Sequence, residues 1–437
     1  MNSVISRPAV GREVAPPTLR RSFSWALAGN VVYAACQWAM LVVIAKLGSP
    51  EMVGQFALGI AVSSPVMLFT GLQLRAAQAT DVRDEYAFGD YLGLRLIATV
   101  AGLVVIGGIG MASGLRQETA WVVLIVGLAK AADSVSDLIY GLFQRKERMD
   151  LVARSMIVRG VGSLAALTGA VWGTGSVVWG TAALAVFWAV AVMGFDLPTA
   201  RRVLRQASGQ TVSLLPNWNP GSLWLLTRQT LPLGFVMMLI ALDRNMPRYF
   251  IEHSLGEREL GIFAAIAYIQ VAGTTVVDAL CQSASPRLAC LHAKGDHVKF
   301  RQLLIRLGMF SGLLGVAGVI LASIAGRQIL SFLYREEYAA ESGVFLVLMA
   351  IAAVGYAGSV LGYGITATRR FSLFPLPYLL LTVAVALCSA LAIPRWGLYG
   401  ACAAAGVVSL GSCIVPFLIL CRVREEKAYV TSEPATA

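Results

Sequence analysis

Runs of about twenty apolar residues recur along the 437-residue chain, and that repetition settles the fold class before any motif is read. Twelve such runs lie near 24–47, 54–74, 91–113, 120–143, 154–173, 175–196, 230–250, 260–282, 306–326, 343–364, 373–394 and 400–421. At about 1.5 Å per residue each is long enough, as a helix, to cross about 30 Å of hydrocarbon. Backbone amides inside a bilayer have no water to bond, so serial spans of this kind are helical. The chain is 57% hydrophobic and 14% charged, with a mean hydropathy of +0.71, whereas water-soluble domains carry about 25% charged residues. The expectation is an all-α polytopic membrane protein with about twelve transmembrane helices.

The formal charge of +11 invites a nucleic-acid reading, but the placement of the basic residues opposes it. With the N-terminus cytoplasmic, 24 of the 35 Lys and Arg residues fall in cytoplasmic segments, seven fall outside, and Arg95, Lys130, Arg159 and Arg244 lie within spans. That bias is an orientation signal with both termini cytoplasmic. Residues 1–22, with Pro8, Pro16 and Pro17, read as a disordered tail rather than a cleaved signal. Two six-helix bundles follow at 23–197 and 230–421, joined by a cytoplasmic linker at 198–229 whose Arg201, Arg202 and Arg205 suit an amphipathic helix on anionic lipid. A second cytoplasmic tail occupies 422–437.

The seven cysteines form no CxxC pair, and His253, His292 and His297 lie outside the spans, so no metal site, catalytic group or cofactor is expected.

The informative residues are charges at hydrocarbon depth. Asp243 and Arg244 lie well inside the seventh run, where a charge costs about 2.5 to 3.5 kcal/mol on insertion scales and normally faces a wet cavity or a partner. Arg248 is one turn further on, and Pro247 removes the amide that would bond to the carbonyl of Asp243. An Asp243–Arg244 pair pinning two helices and a cationic cavity wall are both open readings. Lys130, Asp133, Ser134 and Asp137 at i, i+3, i+4 and i+7 make one face of the fourth span ionic. A Lys130–Asp133 pair would offset the insertion cost by itself, but it leaves Asp137 unexplained. Arg95 and Arg159 are near enough to the inner surface to snorkel; anchoring is the preferred reading for Arg95, and Arg159 stays ambiguous. Asn30, Tyr33 and Gln37 share a face of the first span. Gln270, Thr274, Asp278 and Gln282 form a polar stripe on the eighth.

The two halves echo one another. Leu47 and Gly48 precede Gly54, Phe56 and Ala57; Leu255 and Gly256 precede Gly261, Phe263 and Ala264. Trp179 to Ala183 likewise parallels Tyr399 to Ala403, which suggests parallel six-helix repeats.

The segments LGSPEMVGQFALGIAVSSPVMLFTGLQLRAAQATD, YLGLR, LDRNMPRYFIEHSLGERELGIFAA and PRWGLYGACAAA, in this order, resemble the bacterial polysaccharide exporters (Wzx-type) of the multidrug, oligosaccharidyl-lipid and polysaccharide exporter superfamily. The resemblance implies two bundles around a central cavity that opens alternately to each side of the bacterial inner membrane. It also implies a cargo of undecaprenyl pyrophosphate carrying an O-antigen, capsule or exopolysaccharide repeat unit, moved without bond making. Membrane lipids, a polysaccharide polymerase and chain-length machinery are the partners it implies. In its DR motif the match falls on Asp243 and Arg244, followed here by Asn245, Met246 and Pro247.

On this reading Arg244, Lys130, Arg248 and Arg159 are the substrate-facing cations, since guanidinium forks suit phosphate oxygens. Asp243, Asp133, Asp137 and Asp278 are candidates for H+ or Na+ coupling or for restraining those cations, with Gln270, Asn30 and Gln37 as polar cavity wall. The rivals are a cation-coupled drug or metabolite antiporter, which calls for a net acidic cavity, and a membrane glycan polymerase or ligase, which calls for a long outer loop absent from the twelve-run pattern.

Overall fold

The computed structural model describes residues 19–81, 85–208, 214–368 and 375–432. The expected tail lies outside them through residue 18, as do the basic residues Arg83, Arg369 and Arg370.

Among the described residues every regular element is helical: α1 (Leu19–Leu47), α2 (Pro50–Thr70), α3 (Leu74–Thr80), α4 (Phe88–Ala112), α5 (Gln117–Arg145), α6 (Met149–Thr174), α7 (Val177–Ala191), α8 (Leu197–Ser208), α9 (Pro220–Leu255), α10 (Glu257–Ala293), α11 (His297–Leu333), α12 (Glu336–Ala339), α13 (Ser342–Thr368), α14 (Pro375–Trp396) and α15 (Leu398–Ser432). A π-helical turn, Val192–Asp196, links α7 to α8. Eleven of these described segments are long and apolar enough to cross a membrane, so the protein is a multi-pass membrane protein. The helix that misses that standard is α5, long enough at 29 residues but carrying Lys130, Asp133 and Asp137. Counting α5, twelve of the described helices are of spanning length; the side on which α2 ends and α9 begins is here called the near face, and the opposite side the far face.

The expected linker at 198–229 proves partly helical. It contains α8 and the first turns of α9, which starts at Pro220 because Asn219 caps it, its side chain accepting from the Gly221 amide at 3.0 Å, and because proline suits a first helical position. Residues just before that cap lie on α4: the Asn217 amide donates to Gly89 O at 2.8 Å and its side chain donates to Asp90 at 2.7 Å. A Cβ on Gly93 would stand 2.2 Å from Asn217 O, which explains the glycine of YLGLR. α9 runs on unbroken through Pro232 and Pro247.

Helices α1, α2 and α4 to α7 form one lobe and α9 to α11 with α13 to α15 the other, with α2 packed along both α9 and α10 between them. On the far side the apolar core is continuous across the lobes, joining Met40, Ile44 and Phe56 to Ile251, Ile262, Tyr338 and Phe345. Toward the near face it splits into separate clusters, one around Phe143 and Val203 and another around Val277 and Tyr356. The protein is therefore closed far and parted near.

Polar ties reinforce the far closure. Glu257, buried at the head of α10, accepts from Gln55 Nε2 at 3.1 Å and from the Thr119 hydroxyl, and Arg116 approaches to 3.6 Å. Arg335 donates to Lys46 O at 2.6 Å, and Lys46 Nζ donates to Phe332 O at 2.7 Å.

Candidate functional site

The ionic face of α5 opens onto a cavity of about 590 Å³ inside the first lobe. Its walls run from Tyr33 at mid-depth down to Arg75 and the exposed Gln144 near the end of α5, so it is a vestibule reached from the near face. Val122, Val126 and Ala129, further toward the far end on the same side of α5, are packed in the core and hold the helix in one rotation, while Trp121 and Leu128 on the other side face outward.

Four cations and two carboxylates meet in this vestibule. Asp133 stands between Arg159, at 2.5 Å, and Lys130, at 3.3 Å. Asp137 stands between Arg95, at 3.2 Å, and Arg75, at 3.3 Å. Each acid is shared by two bases, and the site is left with two positive charges in excess. Arg95 and Arg159 are almost fully buried, yet Arg95 Nε and Arg159 Nε and Nη1 have no hydrogen-bond partner among the described residues. Unpaired guanidinium donors in a buried site are costly unless an anion arrives to take them. Aromatic rings supply partial compensation: Arg159 lies 5.0 Å from the Trp188 ring centre, 5.4 Å from that of Tyr33 and 5.7 Å from that of Tyr140, and Lys130 lies 5.4 Å from Trp188.

The structure thus brings Lys130, Arg159, Asp133 and Asp137 together, as neighbours of Tyr33. Asn30, exposed, and Gln37, half-buried, continue the α1 face that holds Tyr33 and form no side-chain hydrogen bond among the described residues. The Lys130–Asp133 pair exists, and Asp137 is accounted for by Arg75 and Arg95.

One reading needs correction. Arg95 does not snorkel: it is 2% exposed and points inward to Asp137, because the membrane-facing side of α4 is occupied by Ile97, Val100 and Val104. Arg159, left open between surface and interior, turns into the lobe.

Asp243 and Arg244 do not pair. Asp243 is buried against α14 beside Thr382, whose hydroxyl is spent on Tyr378 O at 2.9 Å, while Arg244 is exposed and within electrostatic reach of Asp278 and Tyr378. Consecutive helical residues diverge by about 100°, so one of two adjacent charges must turn away from any single partner. Arg248 donates to Asn245 Oδ1 at 3.1 Å and faces Tyr268, which also lies within reach of Lys130, so these two cations approach each other across the lobes. Gln270 and Asp278 are half-buried on α10, and Tyr356 donates to Gln270 O at 3.0 Å. Arg244 and Asp278 form a second polar patch, separate from the vestibule.

Reading the sequence gave Arg95 the wrong direction and missed Arg75, Glu257 and Asp196 as site residues. The last is fully buried in the π-helical turn, where Asp196 accepts from Ser136 and Ser155, both at 2.6 Å.

The family model described as "Polysaccharide biosynthesis protein" matches residues 19–292. The capsular polysaccharide biosynthesis protein CapF of Staphylococcus aureus is 26% identical over 396 residues, 87% of this chain and 94% of that protein. Among solved structures, an inward-facing multidrug resistance MATE family transporter of the MOP superfamily superposes with a TM-score of 0.73 at 13% identity, covering 93% of this chain and 99% of that one. The lipid II flippase MurJ, in an inward closed conformation, gives 0.72 at 9% identity over 91% and 87%. An outward-facing MATE transporter gives 0.62 at 14% identity over 94% and 96%.

Proposed function

The chain belongs to the polysaccharide biosynthesis protein family, and on that premise we propose that it is a flippase carrying an undecaprenyl-pyrophosphate-linked oligosaccharide repeat unit from the cytoplasmic to the periplasmic leaflet of a bacterial inner membrane. The near face is then cytoplasmic, in keeping with the basic bias of its segments, and the structure is the cytoplasm-open state of an alternating-access cycle. The higher overlap with inward-facing than with outward-facing relatives supports that assignment.

The observation that carries the reading is the charge balance of the vestibule, four cations against two acids. A diphosphate diester brings two negative charges, matching the excess. On arrival its oxygens compete with Asp133 and Asp137 for the guanidinium groups of Arg95 and Arg159, and charge-assisted bonds between guanidinium and phosphate replace part of what the two acids provide in the empty site. The sugars occupy the remaining volume of a cavity within the usual small-molecule range of about 300–1,000 Å³, while the prenyl tail stays in lipid. A cationic drug would meet net repulsion at the same place, which disfavours the antiporter. Binding and release do the work, and no covalent step is required.

The test is reconstitution of the purified protein into vesicles carrying a fluorescent lipid-linked oligosaccharide in one leaflet. Transfer to the other leaflet above the protein-free rate is the expected result; transport of cationic dyes with no lipid transfer rejects the assignment.

A further inference from the structure

Beneath the vestibule floor lies a hydrogen-bonded line that the binding of substrate does not use. Tyr140, which lines the cavity, is bonded to Ser155 at 2.7 Å, Ser155 donates to Asp196 Oδ1 at 2.6 Å, and Ser136 donates to Asp196 Oδ2 at 2.6 Å. Every member past the tyrosine is 2% exposed or less. Tyr140 and Ser155 can each act as donor or acceptor to the other, so the line can reverse its polarity and pass a proton without moving a heavy atom.

The surroundings decide what the carboxylate responds to. α5 presents Ser136, Tyr140 and, further off, Asp133; α6 presents Ser155 and Arg159; α8 turns Ala200 and Val203 inward and leaves Arg201, Arg202 and Arg205 exposed. Among the described residues the cation that acts on Asp196 is therefore Arg159, which also lines the vestibule. A buried carboxylate held by two neutral hydroxyls depends on that nearby positive charge. Direct hydroxyl contacts at 2.6 Å on both oxygens leave no room for a sodium ion between them.

We propose that Asp196 is a proton-binding site linked to the vestibule through Arg159: when a diphosphate occupies Arg159, Asp196 takes up one proton by way of Tyr140 and Ser155, and it loses that proton when the diphosphate leaves. Each hydroxyl passes one proton on and receives one, so the only net change in the protein is carboxylate to carboxylic acid, the proton being supplied by the buffered solution through water in the vestibule. This rests on the diphosphate reading above and names the ion that accompanies it.

The experiment uses the full-length protein in nanodiscs and, as probe, a short-chain prenyl diphosphoryl glucose, a diester whose charges do not titrate near neutral pH. Binding heats measured in buffers of different ionisation enthalpy give the protons taken up per probe bound, and infrared difference spectra of the same reaction report a carboxylate becoming a carboxylic acid. Wild type should take up close to one proton, and Asp196→Asn should bind the probe with that uptake and that infrared change lost. In Tyr140→Phe, which keeps the carboxylate, uptake followed with a pH indicator in stopped flow should arrive slower by on the order of tenfold or more. Binding without uptake in wild type, or full uptake in Asp196→Asn, overturns the inference and leaves the diphosphate site standing. Absence of probe binding in wild type overturns the site itself and the inference with it.

Discussion

Gly54 of α2 and Gly261 of α10, equivalent positions of the two sequence repeats, stand back to back where the lobes meet on the far side. A Cβ on Gly261 would lie 1.8 Å from Pro50 O and one on Gly54 would lie 1.9 Å from Glu257 O, so the two helices cross at backbone contact. The same internal repeat that builds two bundles thereby supplies the closure between them, and small residues at such a crossing let packing rather than hydrophobicity hold helices together.

Gly261→Ala should therefore push α2 and α10 apart and bias the protein toward the far-open state. A cysteine placed at Val53, buried in the closed form, should react with a membrane-impermeant thiol reagent from the far side on the order of tenfold faster in that background, a shift of about 1.4 kcal/mol. Unchanged labelling would mean that the crossing does not open.

Glu257 makes the complementary case from polar contacts. Glu257→Ala removes the acceptor for Gln55 and Thr119 at a buried position and should loosen the far closure by about 1 to 3 kcal/mol. Arg116→Ala removes only the exposed arm of the same cluster and should change it by less than about 1 kcal/mol. Far-side labelling of the same cysteine ranks the two; equal effects would show that the ion pair rather than the hydrogen bonds holds the latch.

Arg95 tests whether the vestibule or the membrane surface sets its role. A snorkelling anchor tolerates Arg95→Lys, whereas a guanidinium that bridges Asp137 and a phosphate does not. Arg95→Lys should lower lipid-linked oligosaccharide transfer by on the order of tenfold with normal insertion, and Arg95→Gln, which leaves Asp137 to Arg75 alone, should lower it further. Full transfer in the lysine variant would return Arg95 to the anchor reading.

The sequence made some of this plain and hid the rest for physical reasons. Twelve apolar runs were enough for the bundle, because a bilayer admits few alternatives. The face of Lys130, Asp133 and Asp137 was visible because the helical period puts all three on one side of a single helix. Arg75 and Arg95 escaped because a basic residue near a helix end looks the same whether it points to headgroups or inward, and only packing of neighbouring helices decides. Asp196 sits at a span end with its partners on α5 and α6, so no local spacing marks it. Glu257 follows Gly256 in what reads as a charged turn. For Asp243 and Arg244, depth in a span does not say which way adjacent side chains face.

The claim on which the account stands is that the first-lobe vestibule, and not the Arg244 patch, receives the diphosphate. Arg159→Gln removes one cation while Asp133 keeps its pairing with Lys130, and its affinity for a prenyl diphosphoryl sugar can be compared in nanodiscs with that of Arg244→Gln. Arg159→Gln should bind at least about tenfold more weakly than wild type, about 1.4 kcal/mol, while Arg244→Gln stays within about threefold. Wild-type affinity in Arg159→Gln together with lost binding in Arg244→Gln would contradict the account.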